Sequence, residues 1–443
     1  MKAGIVILMK IFVWSMILLI YVLAASCNLP MVEKTPQMVI PIILTETIST
    51  KSVTPKPEKT SETLSGTVSI WHSFDESQLP ALVQIITDFQ VDHPDVLFDV
   101  LYIPVQDIKT RFEQEVNEGR GPTILLGPAE WGPSLLDAGH IVNVSDVISN
   151  ALANSLNQPA LSSARYKNKF TGIPYAIQGV VLFRNKEIIT IDPTTFEELT
   201  TLAQASTQGE IIGTILDRSF LLSGGHLLGL GGQFSDKAGN PAFNNQKGQD
   251  WIQLLKDFEL AGPTDSNSDQ DLQAFKEGRV GWIIDGTWNT PTLIESIGVE
   301  NLTIDTWPAY SEGALSGFVF SDQLFISSSA KNDHLAASQE FIKHFLSPQS
   351  QSLLAKIGLI PAVTDVPILN IGSSELIAQS IKALAGGSAY PILLNFNDYR
   401  INLEIALKSI FEENIPAETA LQIAEESIQN SLKQTQIPAS PTP

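Results

Sequence analysis

One stretch constrains the fold of this chain more than any other: Lys169-Phe-Thr-Gly-Ile-Pro-Tyr-Ala-Ile-Gln-Gly-Val-Val-Leu-Phe-Arg-Asn-Lys186. Its second half, Val180 to Phe183, is a short apolar run ending in charge, which predicts a strand inside a sheet. Two residues shape the backbone around its first half. Pro174 fixes its own φ angle, and Gly179 allows conformations that other residues resist. With the polar Gln178 between the halves, two interpretations stay open. The chain either crosses here between two bodies beside a wet cleft, or forms an ordinary buried strand with one polar residue facing a loop.

Length and composition favour a globular protein with two lobes. The chain has 443 residues, more than one hydrophobic core normally organises, and 43% of them are apolar. Its formal net charge of -21 argues against nucleic acid and anionic membrane surfaces as partners. A neutral or cationic solute is therefore the expected kind of ligand.

The N-terminus has the pattern of an export signal. The apolar run Ile11–Ala25 follows Lys10, and small residues stand directly before Cys27, the only cysteine of the chain. A lone cysteine has no internal disulfide partner. Two interpretations remain: a lipoprotein signal peptide, residues 1–26, cleaved before a lipid-bearing Cys27, or an uncleaved membrane anchor. We predict the lipoprotein, since the apolar run is short for a membrane span.

Two segments are predicted to lie outside the folded body. Residues 27–66 contain repeated prolines among Thr, Ser, Lys and Glu, which favours an extended linker rather than a core. Residues 434–443 are predicted to be a disordered tail. Such a linker would hold a folded body away from a membrane while letting it rotate.

The region after the linker alternates strands and helices. Strands are predicted at Thr67–Trp71, Val96–Ile103 and Thr123–Leu126, with amphipathic helices between them. This spacing indicates parallel β-α-β units, whose ligands bind beyond the carboxyl ends of the strands. Residues that follow the first or third strand are therefore candidate ligand-binding residues: His72, Ser73, Glu130 and Trp131.

An acidic loop, Asp265-Ser-Asn-Ser-Asp-Gln-Asp271, has acidic residues that alternate as in a calcium-binding EF-hand. Against calcium, Gln270 stands where that loop needs glycine, and Glu277 falls one place late. Asp, Ser and Asn also accumulate in front of helices, and Leu272–Glu277 begins one. Helix capping is the interpretation that we adopt, so neither a metal nor a cofactor is predicted.

Several motifs, in matching order, resemble the extracellular solute-binding proteins of ABC sugar importers, the family that includes maltose-binding protein. Gly172, Pro174, Tyr175, Gly179, Asn185 and Lys186 resemble that family's first crossing between lobes, although Arg184 replaces an aromatic residue. Phe275–Trp288 resembles the run Phe-x-x-Gly-x-x-Ala-Met-x-x-x-Gly-x-Trp, with Gly281 and Trp282 replacing Ala-Met. Gly317–Ser327 and Lys356–Ala362 resemble the second and third crossings.

The resemblance implies an α/β, two-lobed periplasmic-binding-protein-like fold. Each lobe would be a mostly parallel sheet flanked by helices, and three hinge crossings would join them. Lobe 1 would contain residues 67–177 and 322–359, and lobe 2 residues 180–319 and 363–433. Ligand would then favour a closed form by contacting both lobes at once.

The resemblance also implies further ligand-binding residues. Trp288 matches an aromatic that lines the sugar site in relatives, the alternative being a core tryptophan. Gln178 stands where relatives often have a carboxylate, and Asp322 lies on the second crossing. Tyr399 and Arg400 fall near the place of another site aromatic.

The implied function is capture of a sugar, mono- or oligosaccharide, and its delivery to the permease subunits of an ABC importer. The protein would be a monomer of the cell envelope, extracytoplasmic and held at the membrane by lipid. Two alternatives remain: a receptor that reports the solute to a membrane sensor, and a secreted glycosidase with two carboxylates. Since His-Glu-x-x-His, Gly-x-Ser-x-Gly and Cys-x-x-Cys are missing from the sequence, we predict a protein that is not an enzyme.

Overall fold

The computed structural model describes residues 63–266, 268–368 and 372–435. The predicted signal peptide, Cys27, most of the predicted linker and most of the predicted tail lie outside these described residues. None of the helices in the described ranges is both long and apolar enough to cross a membrane.

Strands recur along the described chain and form one large sheet and two small hairpins. In chain order they are β1 (Gly66–His72), β2 (Val96–Tyr102), β3 (Ile124–Pro128), β4 (Arg165–Tyr166), β5 (Lys169–Phe170), β6 (Ile173–Asn185), β7 (Ile212–Asp217), β8 (Thr264–Asp265), β9 (Val280–Gly286), β10 (Leu302–Asp305), β11 (Ala309–Tyr310), β12 (Gly313–Ala314), β13 (Phe318–Ile326), β14 (Ile360–Pro361) and β15 (Ser388–Ala389).

Helices connect most of these strands and cover the faces of the large sheet. They are α1 (Leu79–Asp92), α2 (Val105–Asn117), α3 (Gly132–Asp137), α4 (Asn150–Ser155), α5 (Gln158–Ser162), α6 (Phe196–Ser206), α7 (Phe220–Gly229), α8 (Gln246–Ala261), α9 (Gln270–Lys276), α10 (Thr290–Ile297), α11 (Asn332–Phe345), α12 (Pro348–Lys356), α13 (Ser373–Ala385), α14 (Phe396–Phe411) and α15 (Ala417–Thr435). Two short 3-10 helices, Ala129–Trp131 and Thr287–Asn289, follow β3 and β9.

The large sheet has the strand order β2-β1-β3-β13-β6-β9-β7-β8, with β10 and β14 also paired to β6 and β15 to β13. At one end, β1 pairs with β2 and β3 in parallel. At the other end, β7 pairs with β8 and β9 in parallel. Between them, β6 and β13 run antiparallel to each other, β13 runs antiparallel to β3, and β6 runs antiparallel to β9.

Strand β6 joins the two ends of the sheet because its two halves have different partners. The first half pairs with β14 and with residues Val319 to Leu324 of β13. The second half pairs with β9 and β10. The predicted strand at Val180–Phe183 is this second half, and all four of its residues are fully buried.

Apolar side chains pack on the sheet in both lobes, and one buried cluster continues from Phe341 in lobe 1 to Phe183 and Phe275 in lobe 2. In lobe 1, Phe112 of α2 packs edge-to-face on Trp71 of β1 at 6.5 Å between ring centroids, while Phe89 and Phe341 meet on the opposite face. In lobe 2, α8 buries Trp251 and Phe258 completely. Burial of each such side chain contributes about 1.5–3 kcal/mol to folding.

Two of the departures from the family pattern, Arg184 and Trp282, meet at one carboxylate. Arg184 donates from Nε to Asp305 at 2.7 Å, and the indole Nε1 of Trp282 donates to the same oxygen at 2.8 Å. All three residues are buried. A buried charge needs a partner, and here one bidentate arginine and one indole satisfy the carboxylate.

The third crossing and both termini of the folded part differ slightly from the predicted boundaries. The N–H of Thr364 donates to the carbonyl of Ser155 in lobe 1, so this segment stays with lobe 1 just beyond the predicted start of lobe 2 at residue 363. Strand β1 begins at Gly66, one residue inside the predicted linker. Helix α15 continues to Thr435, two residues into the predicted tail, because Leu432 packs against the lobe 2 core.

Candidate ligand site at the crossing strands

Gln178 and Gly179 lie where β6 passes from one lobe to the other. Gln178 is exposed and pairs across the sheet with Phe320 of β13. Gly179 allows β6 to lie close to the backbone of β13, since a Cβ there would lie 2.4 Å from the carbonyl oxygen of Phe318. Its N–H donates to Oγ1 of Thr287 at 3.1 Å, which ties the crossing strand to the turn after β9.

Trp288 lies in that turn, which we call the lobe 2 turn (residues 286–289). A Cβ on Gly286 would lie 1.9 Å from the Trp288 ring, so the indole covers the glycine directly. The ring is 41% exposed and packs edge-to-face on Phe320 at 6.3 Å between centroids. Such an indole offers a flat apolar surface to a ligand.

Asp285, the residue before the lobe 2 turn, holds this turn in place through hydrogen bonds. Its carboxylate accepts two hydrogen bonds from Nδ2 of Asn289, at 3.0 and 3.1 Å, and one from the N–H of Gly286. Burial raises the pKa of Asp285 to about 6. The orientation of Trp288 is therefore set by a network inside lobe 2.

Trp131 lies in an equivalent lobe 1 turn (residues 127–131) after β3. A Cβ on Gly127 would lie 2.3 Å from its ring, so this indole also covers a glycine. Trp131 is half-buried and packs against the cluster that contains Leu125 and Leu135. Less of its surface is available to a ligand than in the case of Trp288.

Two carboxyl groups, Glu130 and Asp322, lie close enough for the charge of Glu130 to act on Asp322. Asp322 pairs through its backbone with Pro128 on one side and Ala176 on the other. Its burial and then the charge of Glu130 raise the pKa of Asp322 to about 6. Burial also raises the pKa of Glu130, although its side chain reaches solvent. Carboxyl groups of this kind can accept hydrogen bonds from hydroxyls, and when protonated they can also donate.

Tyr390 lies beside the candidate site, and the sequence did not point to it. It lies after β15, with its ring 4.6 Å from that of Phe320 and 5.1 Å from that of Phe318. Burial, and then the charge of Glu130, raise the pKa of Tyr390 to about 12, while Arg400 acts in the opposite direction. Tyr390 therefore lies between the aromatic and acidic residues of the site.

Tyr399 lies in the core of lobe 2 and not at the crossing strands. It is fully buried, its ring stacks on Phe396 at 5.6 Å, and its hydroxyl donates to the carbonyl of Gly239 at 2.8 Å. The neighbouring Arg400 is exposed, donates to Oδ1 of Asn397, and is near enough to act on Tyr390. Of the two predicted residues on α14, the structure thus brings only Arg400 toward the site.

His72 is also an interior residue. It is 1% exposed, and its Nδ1 accepts the N–H of Phe74 at 3.1 Å. Burial lowers the pKa of His72 to about 4, so the ring is neutral near pH 7. The adjacent Ser73 remains partly exposed. The ring of His72 lies 5.7 Å from that of Phe74, and the ring of Phe74 packs on Tyr175 at 6.0 Å.

Two surface pockets on lobe 2 are separate from this group. One, of about 250 Å³, is lined by residues that include Arg218, Glu404 and Phe411. The other, of about 430 Å³, is lined by residues that include Phe196 and Tyr310. Neither is lined by residues of both lobes, and ligand-driven closure requires contact with both.

Relatives with known ligands are similar to this chain over much of its length. A maltotriose-binding protein of Pyrococcus abyssi is 22% identical over 314 residues, which cover 68% of each chain. A galactooligosaccharide-binding protein of Bacillus subtilis is 22% identical over 284 residues, or 60% of this chain and 66% of the relative. These relatives are binding proteins rather than enzymes.

Solved structures confirm the predicted fold. An extracellular solute-binding protein from Staphylococcus aureus in complex with maltose has a TM-score of 0.74 at 19% identity, over 84% of this chain and 99% of that one. A cyclo/maltodextrin-binding protein complexed with maltotetraose has a TM-score of 0.73 at 18% identity, over 85% and 100%. At such identities the likeness establishes the fold alone.

Family membership rests on a match to a whole-family sequence model rather than on single relatives. The model for bacterial extracellular solute-binding proteins matches residues 84–378. That range includes the three predicted crossings and both tryptophan turns, and it is more than half of the chain. The chain belongs to the family of bacterial extracellular solute-binding proteins.

Proposed function

We propose that this protein binds a sugar at the crossing strands and delivers it to an ABC importer. The observation that supports this most is the set of residues around β6 and β13, where an exposed indole, Trp288, packs against Phe320, and Phe320 in turn packs against Tyr390. Glu130 and Asp322 add hydroxyl-binding groups from the side of lobe 1. A sugar has an apolar face of C–H groups and a rim of hydroxyls, and these two kinds of side chain match those two surfaces.

Linear malto-oligosaccharides are the first ligand class to test, because similar proteins include a maltotriose-binding protein and a structure complexed with maltotetraose. Isothermal titration of purified protein with maltose, maltotriose, maltotetraose and a galactooligosaccharide would compare the candidates directly. We expect at least one of these to bind with 1:1 stoichiometry and to raise the melting temperature. A dipeptide of similar size serves as the negative control. Failure of every saccharide at millimolar concentration would contradict the proposal.

Hinge closure is the proposed mechanism of capture. Ligand would contact Trp288 on lobe 2 and the acidic pair on lobe 1, and would thereby favour the closed form over the open one. The backbone near Gln178 and Gly179 is the proposed pivot of the first crossing. Small-angle scattering with and without the bound sugar would test this, since closure reduces the radius of gyration.

We propose that binding occurs without chemistry. The paired carboxyls Glu130 and Asp322 would be the natural catalytic pair if the protein were a glycosidase. Incubation with the bound saccharide, followed by chromatography, should recover it uncleaved. Cleavage that Glu130→Gln abolishes would instead identify an enzyme.

Anchoring by lipid on Cys27 is the final part of the proposal. The support is the position of this cysteine directly after an apolar run and three small residues, Ala24-Ala-Ser26. Intact-mass analysis of membrane-extracted protein should show a chain that starts at Cys27 with added acyl mass. A chain that retains Met1 would contradict it.

A further inference from the structure

Three buried carboxylates meet at the edge of lobe 2. Asp217 ends β7 and Asp265 ends β8, and these two residues are partners in the parallel strand register. Asp271 comes from the first turn of α9. One carboxylate oxygen from each lies within 4.8 Å of the other two, and the residues are only 3%, 8% and 3% exposed.

Local turns explain the position of two of these carboxylates. Oδ2 of Asp265 accepts the N–H groups of Gln270 and Asp271, at 2.9 and 3.1 Å. Oδ1 of Asp217 accepts the N–H of Ser219, which closes the turn into α7. Hydrogen bonds of this kind are common where chains enter helices, and by themselves they indicate no ligand.

Asp271 is different. Its Oδ1 accepts the N–H of Leu272 at 2.7 Å, but its Oδ2 is buried and has no hydrogen-bond donor among the residues that the structure describes. An unpaired buried carboxylate oxygen is costly, since it has lost its water without gaining a partner. A local turn therefore does not account for this side chain.

The residues nearest to Asp271 in this cluster add no positive charge. Asp217 and Asp265, whose carboxylate oxygens lie within 4.8 Å of that of Asp271, are both acidic. Arg218 follows Asp217 in sequence, but its guanidinium bonds Glu259 at 2.8 Å and lies over the Phe411 ring at 4.3 Å. The charge of the nearest arginine in sequence is thus paired with Glu259, while its buried Nε has no hydrogen-bond partner among the described residues.

We propose that Asp217, Asp265 and Asp271 bind one calcium ion. Calcium takes oxygen ligands at about 2.3–2.6 Å, so two oxygens on opposite sides of one ion lie up to about 5 Å apart. The three oxygens lie within 4.8 Å of one another, which is inside this limit for calcium. Magnesium demands near-ideal octahedral geometry, whereas calcium accepts the irregular set of oxygens that three carboxylates from separate elements provide.

The geometry also explains why sequence spacing gave an incomplete account of the acidic loop. An EF-hand takes all its ligands from one loop of twelve residues. Here Asp217 comes from a different strand, and strand pairing alone brings it beside Asp265. This site is independent of sugar binding, although Asp285, which holds the lobe 2 turn, lies on the next strand.

Calcium titration of the purified full-length protein is the direct test. Protein stripped with EDTA should bind one calcium ion in isothermal titration, with a dissociation constant on the order of 0.1–1 mM as in extracellular modules. At 10 mM calcium the melting temperature should rise by about 2–5 °C relative to sodium chloride of equal ionic strength. Magnesium at the same concentration should have a smaller effect.

Asp271→Asn keeps the size of the side chain and removes the charge. It should weaken calcium binding at least tenfold while the calcium-free protein melts no lower than wild type. Asp192→Asn, a surface change of equal charge, should bind calcium normally. The proposal would be overturned if isothermal titration of wild type with calcium gave no heat of binding. It would also be overturned if calcium and magnesium stabilised wild type and Asp271→Asn equally. Sugar titrations on the same samples show separately whether the sugar proposal holds.

Discussion

The lobe 1 turn and the lobe 2 turn are built alike but differ in how firmly each tryptophan is held. In both, a strand leads into a 3-10 helix and the indole covers a glycine, Gly127 or Gly286. Trp131 then packs into an apolar cluster, whereas Trp288 remains 41% exposed and touches a crossing strand through Phe320.

This difference separates stability from recognition. A half-buried indole contributes mainly to its lobe, because its surface is already in contact with protein. An exposed indole that is held in one orientation gains most when a ligand covers it. We therefore expect Trp288 to dominate affinity and Trp131 to dominate the stability of its turn.

The largest expected effect is that of Trp288→Ala. Truncation of a central tryptophan commonly costs about 2–4 kcal/mol of binding, or roughly 30- to 1,000-fold in affinity. Titration calorimetry should show this loss while circular dichroism and melting temperature stay nearly unchanged. Trp131→Ala should show the reverse pattern, with a smaller loss of affinity and a clear loss of stability. If the Trp288 variant unfolds instead, that indole belongs to the core and the comparison fails.

The next largest expected effect is a dependence of the free energy of unfolding on pH, caused by Asp322 in lobe 1. Since the folded pKa of Asp322 is about 6, above that of an unfolded aspartate, the folded state binds the extra proton between about pH 4 and 6. Asp322 should therefore make the protein less stable as pH rises through that window, by about 2–3 kcal/mol.

Comparison with Asp322→Asn isolates this contribution, because His72 has the opposite dependence in the same range. The lowered pKa of His72 makes the protein less stable as pH falls from about 6.5 to 4. Urea unfolding at pH 4 and pH 7, without sugar, should show the variant gaining stability over wild type at the higher pH only. An equal difference at both values would contradict the raised pKa.

The two glycines offer a smaller and matched test. A methyl group at Gly286 would displace the Trp288 ring, which has room to move toward solvent, so Gly286→Ala should lower affinity about tenfold with little loss of stability. Gly127→Ala should instead destabilise lobe 1 by about 1–3 kcal/mol, because the Trp131 ring is confined by the core. Equal outcomes in binding and in urea unfolding would remove the distinction between the turns.

Gln178→Ala is expected to have the smallest effect. Loss of one hydrogen bond to a sugar hydroxyl costs about 0.5–1.5 kcal/mol, or roughly 2- to 10-fold in affinity. The side chain is exposed, so the free energy of unfolding should change little. Unaltered affinity would place Gln178 outside the site, and Gln178→Glu then serves to test whether added charge matters there.

The fold could be predicted because its determinants are local in sequence. An apolar run marks the second half of β6 as a strand, and alternation with helices marks β1–β3. Strand order located the lobe 1 turn, whereas the crossing at β6 and the lobe 2 turn were expected from the resemblance to solute-binding proteins. Arg184 and Trp282 could be recognised as departures, but their shared reason, Asp305, requires the pairing of β6 with β9 and β10.

The site was predicted less well because burial and long-range contacts decide it. Phe396, Tyr399 and Leu403 recur at helical spacing, a signal that places Tyr399 on the buried face of α14. Tyr390 follows a two-residue strand in an irregular segment, where no periodicity points to it. The burial of His72 beside Phe74 could not be predicted either, because a polar residue at the end of a strand is usually expected to face solvent.

The pairing of β13 with β3 has a consequence for how the chain folds. Ile124 in lobe 1 hydrogen-bonds through its strand to Ile326, about two hundred residues later, and β14 adds to the same sheet later still. Such distant contacts make folding slow, because a long loop must close before the contacts form. Lobe 1 therefore cannot be completed until most of lobe 2 has been synthesised, and neither lobe can be isolated by simple truncation.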